Sequence, residues 1–140
     1  MNVIDSFSGE FEFLSNFYPA DITYEGIFYF TNEHAFQAAK TFNLIEKMAI
    51  SAMETPGKAK RAGREVTLRP DWEDVKYNIM KEICYIKFGS NLSLRYNLLQ
   101  TGDAELIEGN TWNDTCWGVC NGVGTNWLGQ ILMEIRSKLR

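Results

Sequence analysis

The chain has 140 residues, 45% of them apolar, and a formal charge of −4 from 14 basic and 18 acidic side chains. At roughly 100–200 residues per domain this predicts one domain over residues 1–140, large enough to build a core without disulfide or metal staples. The acidic balance argues against a protein that lives on nucleic-acid phosphates, and no run of about 18 apolar residues is present to span a bilayer.

The start, Met1-Asn2-Val3-Ile4-Asp5, lacks the basic-then-apolar plan of a secretion signal. Three cysteines, an odd number, fit reduced thiols and a cytoplasmic location. Short strands are expected first. Phe11 and Phe13 alternate around Glu12 with the period of a strand. Ile22-Thr23-Tyr24 and Ile27-Phe28-Tyr29-Phe30 flank Glu25-Gly26, where glycine can take the positive φ of a two-residue hairpin. At Thr31 the period changes. Thr31 can accept the free N–H groups of a helix running to about Ile45, with Glu33 near its positive end. A second helix, from Ile45 to about Glu54, stops before Pro56-Gly57 because proline disfavours the α conformation in the residue before it. Pro56 then opens another turn through Arg61 to Gly63. Asp71 starts the longest helix, in which Val75, Ile79, Ile83 and Ile86 recur as one buried stripe. Leu94 to Leu99 form a further helix closed by Gly102, and Ala104–Glu108 reads as a short strand. Residues 109–126 are glycine-rich and aperiodic, and a long irregular stretch in a compact domain is more often functional than idle. The last helix, Leu128 to about Leu139, buries Leu128, Ile131, Leu132, Ile135 and Leu139 and carries Arg136, Lys138 and Arg140 at its negative end. The sum is an α+β domain, helix-rich with a small antiparallel sheet.

Two stretches carry candidate chemistry. On a helical wheel of about 100° per residue, Ala35, Ala38, Ala39, Phe42 and Ile45 share the half that faces the core, and Glu33, Phe36, Gln37, Lys40 and Leu44 fall on the other. Glu33, Gln37 and Lys40 line up along one side. One reading is a solvated face whose charges suit the helix dipole. The other is a pocket, because Phe36 and Leu44 sit among the polar groups; there Lys40 would lose hydration, its pKa would fall, and it would become a nucleophile. The second stretch is Trp112-Asn113-Asp114-Thr115-Cys116-Trp117-Gly118. Its two indoles either plug the core or offer flat faces to a base or ribose, and Asp114 between them is a candidate acid or base.

Other patterns fail. Cys84, Cys116, Cys120 and His34 lack zinc-ligand spacing, and there is no H-x-E with P-C-x-x-C of a zinc deaminase. No G-x-S-x-G elbow accompanies His34, which points about 100° away from Glu33 and reads as a structural hydrogen-bonding residue. Gly118-x-x-x-Gly122-x-Gly124 lacks the Lys-Ser/Thr ending of a phosphate loop. The expectation is a site with no metal and no cofactor, built from carboxylates, one lysine and aromatic faces.

Phe13-Leu14-Ser15-Asn16-Phe17, followed by Thr31-Asn32-Glu33-His34-Ala35-Phe36-Gln37-Ala38-Ala39-Lys40, resembles the opening of the NADAR (YbiA-like) superfamily. The resemblance continues through Gly63-Arg64, Arg69-Pro70-Asp71-Trp72, Val75-Lys76, Lys87-Phe88, Leu98-Leu99-x-Thr101-Gly102, Asn113-Asp114-x-x-Trp117-Gly118 and Gly124-x-Asn126-x-Leu128-Gly129, essentially the whole chain. It implies a YbiA-like fold and an N-glycosidase that cleaves the C–N bond between a ribosyl carbon and an amine or base. Family substrates include early phosphorylated riboflavin-pathway intermediates and ADP-ribose on guanine. Glu33, Lys40 and Asp114 take the catalytic positions implied by the resemblance.

The expected substrate contacts are Asn16 on hydroxyls, Phe17, Gln37, Arg64 as a bidentate fork on phosphate, Trp72, Trp117 stacking on base or ribose, and Asn126. Two departures bear on the pocket: Ala35 stands where an aromatic is common, and the segment between Gly118 and Gly124 is short. The implied partner is a ribosylated or ADP-ribosylated small molecule, with ADP-ribosylated nucleic acid as a further one, and no membrane. Lys40 is expected to attack the anomeric carbon and hold it as a Schiff base. Direct contact with Glu33 would keep Lys40 protonated, so the two are expected apart, with Gln37 orienting either. Two alternatives stand beside this: water directed by a second carboxylate at an oxocarbenium-like centre, and a non-catalytic module binding ADP-ribose or an NAD-related nucleotide.

Overall fold

The computed structural model describes residues 2–140. In chain order the elements are β1 (Val3–Ile4), a 3₁₀ helix (Gly9–Leu14), β2 (Ile22–Tyr24), β3 (Ile27–Tyr29), α1 (Asn32–Ala38), α2 (Leu44–Ser51), α3 (Pro56–Ala62), α4 (Trp72–Gly89), α5 (Leu92–Gln100), β4 (Glu105–Leu106), β5 (Gly109–Asn110), β6 (Val119–Cys120) and α6 (Trp127–Leu139). They fall into two compact units, one made of the residues up to Ser15 with Phe88–Arg140, the other of Asn16–Lys87.

In the Asn16–Lys87 unit, β2 and β3 pair antiparallel with Ile22 opposite Tyr29. The turn residues Glu25 and Gly26 have φ of 49° and 82°. Two successive left-handed residues match the twist of the paired strands, as the hairpin expectation required. The next helix departs from expectation: α1 stops at Ala38 instead of running to Ile45. The cause is local. Asn43 Oδ1 accepts from Glu46 N at 3.0 Å and caps α2, and Thr41 Oγ1 accepts from Asn43 N at 3.1 Å. A capping residue is extended, so the chain leaves α1 before Asn43. Phe42 and Ile45, placed in the core by the wheel, emerge 64% and 80% exposed. All of α1 is buried; Ala35, Ala38 and Ala39 are small enough to let α2 and α3 pack close against it. α3 starts at Pro56, with Thr55 accepting from Lys58 N at 3.1 Å. On α4 the buried stripe holds Ile79 and Ile83, joined by Trp72, Met80, Cys84 and Lys87, while Val75 and Ile86 are half-buried.

Lys87 lies one turn after Cys84 and is 1% exposed, its Nζ 5.7 Å from the centre of the Tyr18 ring. Burial pushes its amine down to about 8 and the Cys84 thiol up to about 12. Between about pH 8 and the ordinary lysine value of 10.5 the folded chain therefore holds fewer protons on Lys87 than the unfolded chain, and stability rises with pH. Above the ordinary thiol value of 9.0 Cys84 acts in the opposite direction. Denaturant titrations are expected to show a gain of about 1 kcal/mol from pH 8 to 9, flattening above that, and a flatter profile in Lys87→Met. The same slope in both proteins would remove Lys87 as the cause.

In the other unit, β1 pairs in parallel with β4, Val3 opposite Glu105, and β5 in parallel with β6. The antiparallel strand pairing is thus the β2–β3 hairpin, with one isolated antiparallel bridge between Cys120 and Val123, within a helix-rich α+β architecture. The Phe11–Phe13 stretch is a 3₁₀ helix and not a strand: Gly9 turns at φ 58°, and Phe11 N and Ser15 N bond back three residues to Ser8 O and Glu12 O. Three residues per turn sends Phe13 and Leu14 inward together. α5 ends as expected near Gly102, φ 62°. α6 buries the five predicted apolar residues, and also Arg136, whose guanidinium donates to Thr101 Oγ1 at 2.9 Å. No helix among the described residues is long and apolar enough to cross a membrane.

Candidate active site

The entry to α1 is tightly bonded. Thr31 Oγ1 accepts from His34 N at 3.1 Å, and Glu33 N donates to the Asn16 carbonyl at 3.0 Å. His34 is fully buried, with Nε2 2.9 Å from the Met53 carbonyl oxygen and Nδ1 2.7 Å from Thr31 Oγ1. A carbonyl only accepts, so Nε2 carries a proton and donates. His34 ties α1 to the end of α2 and performs the structural job its sequence position suggested.

Glu33 and Gln37 are 8% and 4% exposed, so the side they share with Phe36 is interior and not a solvated face. Gln37 Nε2 donates to Glu33 Oε2 at 2.6 Å. An ionised carboxylate accepts only, which fixes the amide's orientation; Gln37 Oε1, buried, has no hydrogen-bond partner among the described residues. That oxygen rests on Gly63 at the end of α3, where a Cβ would lie 1.9 Å from Oε1 and 3.1 Å from Gln37 Cβ. Only glycine leaves room for Gln37 in this position. Trp72 is 6% exposed and packs on Phe36 with ring centres 5.0 Å apart; it backs α1 and leaves little ring surface for stacking.

Lys40 is half-buried just past α1. Burial lowers its amine below the ordinary 10.5; the Glu33 charge opposes this, and Arg64, Lys60 and Lys76 reinforce it. Gln37 makes the bond to Glu33, and Lys40 feels that carboxylate as a charge. The backbone here is pinned from outside. Arg69 N donates to the Lys40 carbonyl at 2.7 Å, Arg69 Nη1 reaches the Ala39 carbonyl at 3.5 Å, and Lys47 Nζ reaches that of Ala38 at 3.4 Å. Arg69 is itself held by Asp71 through two bonds of 2.7 and 3.0 Å.

The remaining expected contacts divide. Phe17 and Arg64 are exposed. Asn16 turns its side chain inward: Oδ1 accepts from Asn32 Nδ2 at 3.2 Å and Nδ2 approaches Met80 Sδ at 3.4 Å, so it joins α1 to α4. In the other unit Asp114 Oδ1 accepts from Cys116 N and Trp117 N at 3.1 and 2.9 Å, and Asn110 bonds to the Asp114 backbone on both sides. This Asx turn shapes residues 110–118. Trp117 packs edge-on against Trp127 with ring centres 5.4 Å apart; Trp112 is 60% exposed and plugs nothing. Asn126, at φ 53°, accepts from Glu108 N at 3.0 Å and donates to the Leu106 carbonyl at 2.9 Å, so its amide joins the start of α6 to the end of β4 and the backbone just after it. No group of three or more metal-ligating side chains converges among the described residues.

Sequence reasoning included Gly63 and Arg69 in the family resemblance but gave them, and Lys60, no role in the site. The Arg69-x-Asp71 spacing was a usable sign for Arg69. Nothing local marks Gly63 and Lys60, whose roles come from α3 packing on α1.

Comparisons with known proteins bear on what this arrangement does. The family model for the NADAR domain matches residues 5–140. N-glycosidase YbiA of Shigella flexneri is 39% identical over 137 residues, covering 96% of this chain and 85% of that protein. A riboflavin biosynthesis protein of Vibrio vulnificus is 38% identical over 131 residues, 91% of this chain but only 35% of its own length. The solution NMR structure of the Escherichia coli protein YbiA superposes with a TM-score of 0.88 at 36% identity, covering 99% of this chain and 84% of that one.

Proposed function

The chain belongs to the NADAR family, and from that premise we propose that it is an N-glycosidase that hydrolyses the C–N bond between a phosphorylated ribosyl carbon and an amine or base. The observation that carries the reading is the α1 segment: Glu33 buried and bonded by Gln37, with a half-buried Lys40 on the same side whose amine is lowered by burial. The lowered amine gives up its proton at a lower pH than an ordinary lysine, and the deprotonated amine is a competent nucleophile. The cations that depress it, Lys60, Arg64 and Lys76, suit a phosphate, and the exposed Arg64 can meet one as a fork.

In this mechanism Lys40 Nζ bonds to the anomeric carbon as the bond to the departing nitrogen breaks. The proton that Lys40 Nζ sheds on forming this bond passes through the Glu33 carboxylate to that nitrogen. The ring oxygen then leaves the anomeric carbon and takes a proton, giving a C=N bond to Lys40. Water adds to that carbon, the C–N bond to Lys40 breaks, and free sugar phosphate and free lysine result. Gln37 holds Glu33 in place throughout. Of the two acids the sequence offered, Glu33 is the one whose neighbours are arranged around its carboxylate; Asp114 Oδ1 is committed to backbone.

The test is product analysis by chromatography after incubation with phosphoribosylated aminopyrimidines, ADP-ribosylated guanosine and NAD. Release of free base or amine from the phosphoribosyl substrates is expected. Release only from ADP-ribosylated guanosine would move the substrate to ADP-ribosyl groups, and binding without any release would make the chain a nucleotide-binding module.

A further inference from the structure

The hairpin end of the Asn16–Lys87 unit carries a cavity of about 330 Å³ that the chemistry above does not use, within the range of small-molecule sites. Tyr24, Phe42 and Leu44 supply apolar wall, Lys47 and Arg69 positive charge, and Glu25 negative charge. Phe42, Glu25, Arg69 and Lys47 are each specifically placed. Phe42 is 64% exposed even though the Arg69 guanidinium lies 4.3 Å from its ring centre. One face of the ring is covered and the other can take a flat heterocycle. Glu25 stands at the hairpin turn, φ 49°, where a carboxylate can accept from both hydroxyls of a vicinal diol. Arg69 is satisfied by Asp71. Lys47 is not matched in this way: its ammonium bonds to the Ala38 carbonyl at 3.4 Å, longer than the 2.7–2.9 Å typical of charge-assisted bonds, and its nearest felt acid is Glu25. A half-buried cation whose one hydrogen bond among the described residues is a long one to a carbonyl is poised for a better anion.

We propose that this cavity binds a nucleoside 5′-monophosphate, with the base on Phe42, the ribose diol on Glu25 and the phosphate on Lys47. Occupancy reaches Lys40 through the backbone. The groups that line the cavity also hold three successive carbonyls, Ala38 by Lys47, Ala39 and Lys40 by Arg69. A phosphate that draws Lys47 away leaves the Ala38 carbonyl, at the end of α1 and two residues before the nucleophile, with its 3.3 Å bond from Thr41 N. This coupling rests on the function proposed above; the binding site does not.

The experiment is isothermal titration calorimetry of the full chain with AMP, adenosine and ribose 5-phosphate, followed by turnover measured with and without AMP. AMP is expected to saturate one site, with adenosine and ribose 5-phosphate at least tenfold weaker. Lys47→Ala, at a half-buried position, and Phe42→Ser, at an exposed one, should each weaken AMP at least tenfold, and Lys40→Ala should leave its affinity unchanged. Equal binding of ribose 5-phosphate, AMP binding retained in Lys47→Ala, or binding lost in Lys40→Ala would each overturn the site. In the kinetic arm, saturating AMP should change kcat at least twofold in the unmodified chain and not in Lys47→Ala; an unchanged kcat overturns the coupling. A chain that turns over no ribosyl substrate sinks the function while the calorimetry still decides the site.

Discussion

Lys40→Ala is expected to lower kcat by roughly a thousandfold or more, the scale of removing a group that takes part in bond making, with little change in thermal stability. The residue lies past the end of α1 and only half-buried, so truncation opens no core cavity. The unmodified chain treated with sodium borohydride during turnover should gain the mass of a reduced ribosyl phosphate on Lys40, and Lys40→Ala should gain none. Lys40→Arg should not rescue turnover, since a guanidinium stays protonated. The pH profile carries the same signature. Burial and the neighbouring cations hold the Lys40 amine below its ordinary 10.5, and only the deprotonated amine attacks. Activity should therefore fall as pH drops through that lowered value, and this acid limb should vanish from whatever rate survives in Lys40→Ala. Full activity in Lys40→Ala would transfer the chemistry to a water directed by carboxylates.

Glu33→Gln is the second large effect, a loss of roughly a hundred- to ten-thousandfold in kcat, the usual contribution of a positioned proton donor. The substitution keeps shape and removes the acid, leaving one buried amide facing another where Gln37 Nε2 now donates to Glu33 Oε2 at 2.6 Å. Gly63→Ala should reproduce part of this loss without touching either residue, because its Cβ would meet Gln37 Oε1 at 1.9 Å and force the amide off Glu33. Forcing extra volume into a packed site costs about 1–3 kcal/mol, so a moderate drop in stability should accompany it. A separate readout distinguishes positioning from plain damage: in Gly63→Ala the loss should persist when kcat is referred to folded protein counted by circular dichroism, whereas general unfolding lowers only the folded fraction. Wild-type turnover in Glu33→Gln would remove Glu33 from the reaction.

Reading the chain in one dimension succeeded where the cause of structure is local. The Glu25-Gly26 turn, the cap at Thr31, the start of α3 at Pro56, the end of α5 at Gly102 and the apolar stripe of α6 all depend on residues within about four positions of one another. The same reading ran α1 on to Ile45, because periodicity continued while the Thr41–Asn43 bonds that end the helix are side-chain bonds without a period. It likewise made a strand of Phe11–Phe13, where alternation over three residues does not separate a strand from a 3₁₀ turn that buries Phe13 and Leu14.

The residue types of the candidate site, Glu33, Gln37 and Lys40 along one side of a helix, were available from spacing alone, and so was the choice between a solvated face and a pocket as a question. Only the tertiary structure could answer it. Whether a polar side is wet depends on what packs over it, and here that is α3, with Gly63 lying 26 residues beyond Gln37 in the chain. The depression of the Lys40 amine has the same origin, since burial and the charges of Lys60, Arg64 and Lys76 come from elements that no local pattern connects to α1. Sequence determined which groups could do chemistry; desolvation, which exists only once remote segments exclude water, decided which of them are tuned for it.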